Sequence, residues 1–394
     1  MADSFQVTYL LSLSKEDIPH ERILSLQLEQ SAELPDPVLT KMGGAWVKGE
    51  ITKQYQPDDH HLIVTIAWPQ SNHADEITQF LNLLFGNISM KQGITILDIE
   101  WNTLVPNLFT GPSWGITRIR NDWNIPDRAL SCTALKPMGH TNQELAKTAG
   151  AFARGGIDII KDDHGLTNQV SAPFQQRVSA CVQEMDRAAQ ITGRRSRYFT
   201  NITTDPHHIP ERYELAAELG ADGVLLAPML CGPALMHHLA QSTVDLPIMA
   251  HPAFSGTYIA ADPGISQTKE GADFPKTNSP SSRNDLFHGF EPGLFYGAIF
   301  RALGADFVIY PNSGGRFSFS PHTCRSINKE LRRRDLPFEP GFPTPGGGMQ
   351  RNQMNRWLAE YGPDTTFLIG GNLYEDPMGI EAASRAFADS ILQI

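Results

Sequence analysis

The sequence predicts an α/β protein in which a C-terminal (β/α)₈ TIM barrel is preceded by an N-terminal ferredoxin-like α+β domain. Three observations carry this expectation. The chain has 394 residues, more than one ordinary core accommodates. Its first hundred residues read β-α-β-β-α-β, the ferredoxin-like order. From Leu130 onward, eight short apolar runs alternate with helical patterns over about 265 residues, the size of a (β/α)₈ barrel. A doubly wound open sheet is the alternative.

Apolar, β-rich runs at 5–13, 45–54, 61–68 and 94–101 supply the first four strands, with helical periodicity near 20–30 and 74–84. Residues 102–127 are rich in Pro, Gly, Asn and Trp without a period, so the domains are expected at 1–125 and 126–394. The barrel strands are expected at 130–137, 157–163, 197–203, 223–228, 247–252, 305–311, 341–346 and 365–370. Helices follow at 142–154, 173–192, 210–219, 233–241 and 380–394, each with apolar residues at i, i+3, i+4 spacing.

A formal net charge of −11 disfavours nucleic acid and anionic membranes as partners, while a local basic pocket for a phosphorylated small molecule remains compatible. Four cysteines lie far apart without metal-type spacing and fit a reducing cytoplasm. The first residues read as a strand, and no apolar run approaches the ~18 residues of a membrane span, so a soluble, unprocessed protein is expected.

Chemistry in such a barrel sits at the C-terminal strand ends. Here these are polar: Lys136 after strand 1, Lys161-Asp162-Asp163-His164 at strand 2, Asn201 at strand 3 and His251 at strand 5. Strands 6, 7 and 8 end in glycine turns, Asn312-Ser313-Gly314-Gly315-Arg316, Gly346-Gly347-Gly348 and Gly370-Gly371-Asn372. The strand 7 and 8 turns suit a phosphate, since glycine lets backbone N–H groups approach an anion and helices are expected soon after; tight turns alone would also use glycine. Lys161, Asp163 and His164 offer a metal or proton-transfer cluster, or a plain ion-pair network. Lysine ligates a metal only when modified. Lys136, between an apolar run and Pro137, is a proton-handling lysine or a phosphate-pairing one. His251 positions substrate, relays a proton, or is a satisfied barrel-mouth histidine.

Gly155-Gly156-Ile157-Asp158-Ile159-Ile160-Lys161-Asp162-Asp163-His164 resembles the G-G-x-D-x-x-K-D-D-E strand-2 motif of the RuBisCO superfamily. Thr133-Ala134-Leu135-Lys136-Pro137 resembles its T-I-K-P segment, and Phe85-Gly86-Asn87 its N-terminal G-N. Pro247-Ile248-Met249-Ala250-His251-Pro252-Ala253 and Gly111-Pro112-Ser113-Trp114-Gly115 are similar to the methionine-salvage enolase branch. The resemblance implies Mg²⁺ held by carbamylated Lys161 with Asp163 and the residue at His164, proton handling by Lys136, and a homodimer in which Asn87 reaches the partner's site. It covers most of the chain.

The departures point away from a CO₂-fixing RuBisCO. His164 replaces the motif's Glu, and a histidine favours a softer ion or a metal-free acid/base role. Pro252 replaces a phosphate-binding Arg, and the strand-6 loop offers Arg316 rather than a lysine. Asn87 stands where the enolase branch has a catalytic lysine, and the stretch 254–286 is long enough for a lid. The expectation is therefore a RuBisCO-like, enolate-stabilising enzyme that decarboxylates a phosphorylated 3-oxo sugar acid, or transfers and hydrolyses its carboxylate, the type being 3-oxo-isoapionate 4-phosphate. Asn201, Arg316, Gly346–Gly348, Gly370, Gly371 and Asn372 would bind substrate. The alternatives are a methionine-salvage enolase or isomerase and a non-catalytic sugar-phosphate binding protein.

Overall fold

The structure is a computed structural model and describes residues 4–73, 75–103, 108–260, 287–315, 317 and 319–392. In chain order its strands are β1 (Ser4–Ser12), β2 (Glu50–Asp58), β3 (His61–Pro69), β4 (Ile94–Ile99), β5 (Leu130–Leu135), β6 (Ile159–Asp162), β7 (Arg197–Asn201), β8 (Gly223–Leu226), β9 (Ile248–Ala250), β10 (Gly289–Phe290), β11 (Phe307–Pro311), β12 (Phe342–Gly346) and β13 (Thr366–Leu368). They fall into two compact units: one runs to Leu108 and takes in Gly256–Phe295, and the other comprises Phe109–Ser255 and Tyr296–Ile394.

In the first unit the sheet order is β10-β4-β1-β3-β2, so the first four strands take the 4-1-3-2 arrangement of a ferredoxin-like domain. β1 and β3 are antiparallel with Val7 opposite Ile66, and the helices Pro19–Ser31 and Ile77–Phe85 bury Ile23, Leu26, Phe80 and Leu84. The second strand starts later than its apolar pattern suggests: Ala45–Lys48 forms a 3₁₀ turn and pairing begins at Glu50. Gly49 makes the switch at φ +68°, where an added Cβ would stand 2.7 Å from the Ala67 carbonyl.

The second unit is a closed eight-stranded parallel barrel, β5 to β9 followed by β11 to β13. Pairing of β13 with β5 and of β11 with β9 completes the ring and rules out the open sheet. All eight expected runs became strands. Both faces of these strands are covered, which is why Leu130–Leu135 is buried at every position. Leu130, Cys132, Ile159, Phe199, Leu225, Met249, Phe307, Phe342 and Leu368 fill the interior, and Ile116 and Ile119 of the helix Gly115–Trp123 join the same cluster. Each fully buried side chain of this size contributes roughly 1.5–3 kcal/mol.

Arg316 and residues 261–286 of the expected lid lie outside the described residues. Among the described residues no helix is long and apolar enough to cross a membrane.

Candidate active site

Register brings the first two strand ends together. Ala134 lies opposite Lys161 and Leu135 opposite Asp162, so Lys136 and Asp163 emerge side by side, with Lys136 Nζ 2.6 Å from Asp163 Oδ1. Side chains alternate along β6, and Ile159 points into the barrel core, so Lys161 and Asp163 follow it inward while Asp162 turns toward the helices.

Asp162 fixes this corner. Fully buried, it accepts from Tyr198 Oη (2.8 Å), Thr200 Oγ1 (3.0 Å), the Asn201 N–H (2.9 Å) and the Arg177 guanidinium (3.1 Å), itself fully buried. The middle aspartate of the run is thus structural, and the third faces the mouth.

Burial opposes ionisation of Asp163, but its contacts with His164 and Lys136 outweigh it and hold the carboxyl well below the usual carboxylate range. Lys161 is 2% exposed, its Nζ donates to the Asp162 carbonyl at 3.1 Å, and burial pushes its ammonium below the ordinary lysine value. His164 places Nδ1 3.5 Å from Asp163 Oδ2 and stacks on His251, with ring centroids 4.7 Å apart at 14°. Burial, and then the positive field of Lys161 and His164, holds the His251 imidazole well below its ordinary pKa. The Ala253 N–H donates to His251 Nδ1 at 3.1 Å, so the neutral ring carries its proton on Nε2.

Asn201 uses its amide on the loop that bears the site, donating to the carbonyls of His164 (2.9 Å) and Asp163 (3.4 Å) and accepting from the Thr203 N–H. Its contacts position Asp163 and His164. Asn87 begins a 3₁₀ turn in the first unit and donates to Glu33 Oε1 at 2.6 Å.

The glycine turns interlock. Gly347 and Gly348 have φ near +80°, and a Cβ on Gly348 would stand 2.3 Å from the Gly315 Cα, so the strand 6 and 7 turns pack backbone on backbone. Asn372 Nδ2 donates to the Met349 carbonyl at 3.3 Å, and Arg351 pairs with Asp376 at 3.2 Å, joining the strand 7 and 8 turns. A Cβ on Gly370 would lie 3.9 Å from Lys136 Cε, so the last turn borders the lysine. Neither turn runs straight into an α-helix: the 3₁₀ segment Arg351–Gln353 precedes the helix Met354–Tyr361, and Gly371–Leu373 is itself 3₁₀, well before Ile380–Leu392. Any phosphate contact there is with turn N–H groups.

Tyr374 was not anticipated. Its hydroxyl accepts from the Lys136 N–H at 2.8 Å and donates to the Ala134 carbonyl at 2.9 Å, fixing the backbone that carries Lys136. Only its place just after the Gly370-Gly371-Asn372 turn hinted at this.

As an ammonium, Lys161 has no lone pair to offer a metal, and no three His, Cys, Asp or Glu converge on a metal-sized site among the described residues. The donor set fits a divalent ion only with a carbamate on Lys161, which would add oxygens beside Asp163 and the His164 nitrogen.

Residues 115–268 match the family "Ribulose bisphosphate carboxylase large chain, catalytic domain". The chain is 31% identical to ribulose bisphosphate carboxylase-like protein 1 of Rhodopseudomonas palustris, over 95% of this chain and 93% of that protein. It is 32% identical to a 5-methylthioribulose-1-phosphate isomerase of Rhodospirillum rubrum, over 99% of this chain and 97% of that one. A solved Rubisco-like protein from Rhodopseudomonas palustris superposes with a TM-score of 0.83 at 28% identity, covering 100% of this chain and 98% of that one.

Proposed function

The chain belongs to the RuBisCO large-chain family, among its RuBisCO-like proteins, and from that premise we propose that it is an enolate-forming enzyme acting on a phosphorylated keto-sugar. The observation that carries this reading is the 2.6 Å contact of Lys136 with Asp163 beside the glycine turns. The substrate phosphate rests on backbone N–H groups of Gly346–Gly348 and Gly370-Gly371 with Asn372 beside them, and Arg316, outside the described residues, is a further candidate to bind it. The carbon next to the carbonyl then faces Lys136, which takes or returns its proton while the Asp163 carboxylate steadies the ammonium. His251, neutral and protonated on Nε2, donates to the enolate oxygen, and His164 holds its ring by stacking. Mg²⁺ on carbamylated Lys161, Asp163 and His164 would polarise the carbonyl when bound.

The favoured reaction is isomerisation or enolisation of a methylthio-ketose or diketone 1-phosphate, supported by likeness along 99% of the chain to a protein named for that chemistry. The sequence alone ranks decarboxylation of a 3-oxo sugar acid phosphate first. That remains the second reading, favoured by Asn87 at the enolase-lysine position, because loss of CO₂ needs the enolate sink without a dedicated carbon base. We place the enzyme in the cytoplasm as a homodimer with Asn87 completing the partner's mouth.

The test is turnover by the purified chain with Mg²⁺, with and without bicarbonate, in D₂O. The substrates are 5-methylthioribulose 1-phosphate, the corresponding diketone phosphate and 3-oxo-isoapionate 4-phosphate. Solvent deuterium in a product of the first two supports the favoured reaction. CO₂ released from the third alone selects decarboxylation, and silence on all three replaces the enzyme with a sugar-phosphate binding protein.

A further inference from the structure

At the opposite end of the barrel from the mouth, a cavity of about 420 Å³ is lined by Trp123, Arg128, Asp158, Arg194, Arg195 and Arg197 among others. Arg128 precedes β5, Asp158 precedes β6 and Arg197 opens β7, which places the cavity at the N-terminal strand ends. Conserving stability is the usual role of that face. A purely structural cluster would close its donors on protein acceptors, and this one does not.

Asp158 is buried and saturated. It accepts from both Nη atoms of Arg128 (2.7 and 2.8 Å), from Arg194, and from the Ser131 N–H (2.8 Å) and Oγ (2.9 Å). Asp222 takes Arg195 at 3.1 Å, the Tyr198 N–H at 3.0 Å and Arg197 at only 3.5 Å. The cavity lining therefore carries four guanidiniums against the carboxylates of Asp127 and Asp158, two positive charges in excess, while Asp222 and Asp186, which are not part of the lining, pair with Arg195, and Asp222 with Arg197 as well. The Arg194 guanidinium donates to Asp158, and the Arg197 guanidinium reaches Asp222 at 3.5 Å while lying over the Trp123 ring.

We infer that this cavity is a second anion site, distinct from the barrel mouth, for a compact phosphate-bearing anion carrying two or more charges. Guanidinium N–H pairs match phosphate oxygens in geometry and charge. A nucleoside is disfavoured because Trp123 is already occupied: Arg197 lies 5.5 Å over its ring and Phe307 stacks at 6.0 Å.

The test is calorimetric titration of the full chain with pyrophosphate at two salt concentrations. Wild type should bind, more weakly at high salt. Binding should survive Gly371→Asp, which puts a repelling charge at the mouth where a Cβ meets nothing within 4 Å, and should weaken about tenfold or more in R194Q/R197Q. Circular dichroism checks folding; if the double variant is unfolded, R194Q alone is read, since its side chain is 38% exposed, and it should bind several-fold more weakly. No binding by wild type, loss in Gly371→Asp, or unchanged affinity in the folded arginine variant each overturns the inference.

Discussion

Lys136 Nζ sits 2.6 Å from Asp163 Oδ1, joining the ends of two neighbouring barrel strands across 27 residues of sequence. Neither side chain could be assigned its task from its own segment. Together they make an ammonium–carboxylate pair at the mouth, with stacked His164 and His251 nearby.

Replacing Lys136 by Met should lower kcat on the true substrate by about 10²–10⁴-fold with little change in KM, because it removes proton transfer and leaves the phosphate turns intact. Steady-state kinetics with deuterium wash-in checks this. A comparable fall in Tyr374→Phe would be too large for a hydroxyl that only steadies the Lys136 backbone; about tenfold is expected there.

If Lys161 is carbamylated, ¹³C-bicarbonate with Mg²⁺ should give a carbamate signal in wild type by NMR. Lys161→Ala should lack it and lose activity, and chelation should weaken the signal by removing the ion that stabilises the adduct. Full activity in Lys161→Ala would remove the strand-2 cluster from the mechanism.

Asp162→Ala should destabilise the protein by about 3–5 kcal/mol, because it strands the fully buried Arg177 guanidinium. Denaturant unfolding measures it. A cost below about 1 kcal/mol would mean that Arg177 finds another partner.

Asp306 is buried and accepts from the N–H groups of Trp114 (2.9 Å), Gly115 (2.8 Å) and Ile248 (2.8 Å). Full burial outweighs these donors and pushes its pKa up to about 6. A raised folded-state pKa gives stability that is fully present below the unfolded value and is lost as pH rises through about 6. Asp306→Asn lacks this titration and turns an N–H donor toward one of the three backbone donors, at about 1–3 kcal/mol. Its deficit relative to wild type should therefore grow as pH falls from 7.5 to about 4.5. A deficit that shrinks over that range would contradict the assignment.

Elements whose signal is local were legible in the chain. Each barrel run is short and apolar, and all but the fourth are closed by polar or glycine residues, so the β/α alternation shows eight units, and the resemblance at 155–164 marks the strand-2 end. The same locality placed Lys136, Asp163 and His251 at the mouth. Strand β2 begins later than its apolar pattern suggests because the segment 45–47 is apolar and yet lies in a 3₁₀ turn that ends at Gly49.

What the sequence by itself determined was therefore which residues end the strands and which fold they build, because hydrophobic period and turn chemistry act over a few residues. Only the tertiary structure decided what those residues touch. Asp162 and Asp163 are identical neighbours in the chain, yet the pleat sends one to Arg177 and the other to Lys136. Tyr374 meets Lys136 only because β13 closes on β5, and Arg128, Arg194 and Arg197 gather around one cavity only because three strands begin side by side. Those pairings depend on register and closure, which belong to the assembled sheet rather than to any segment of it.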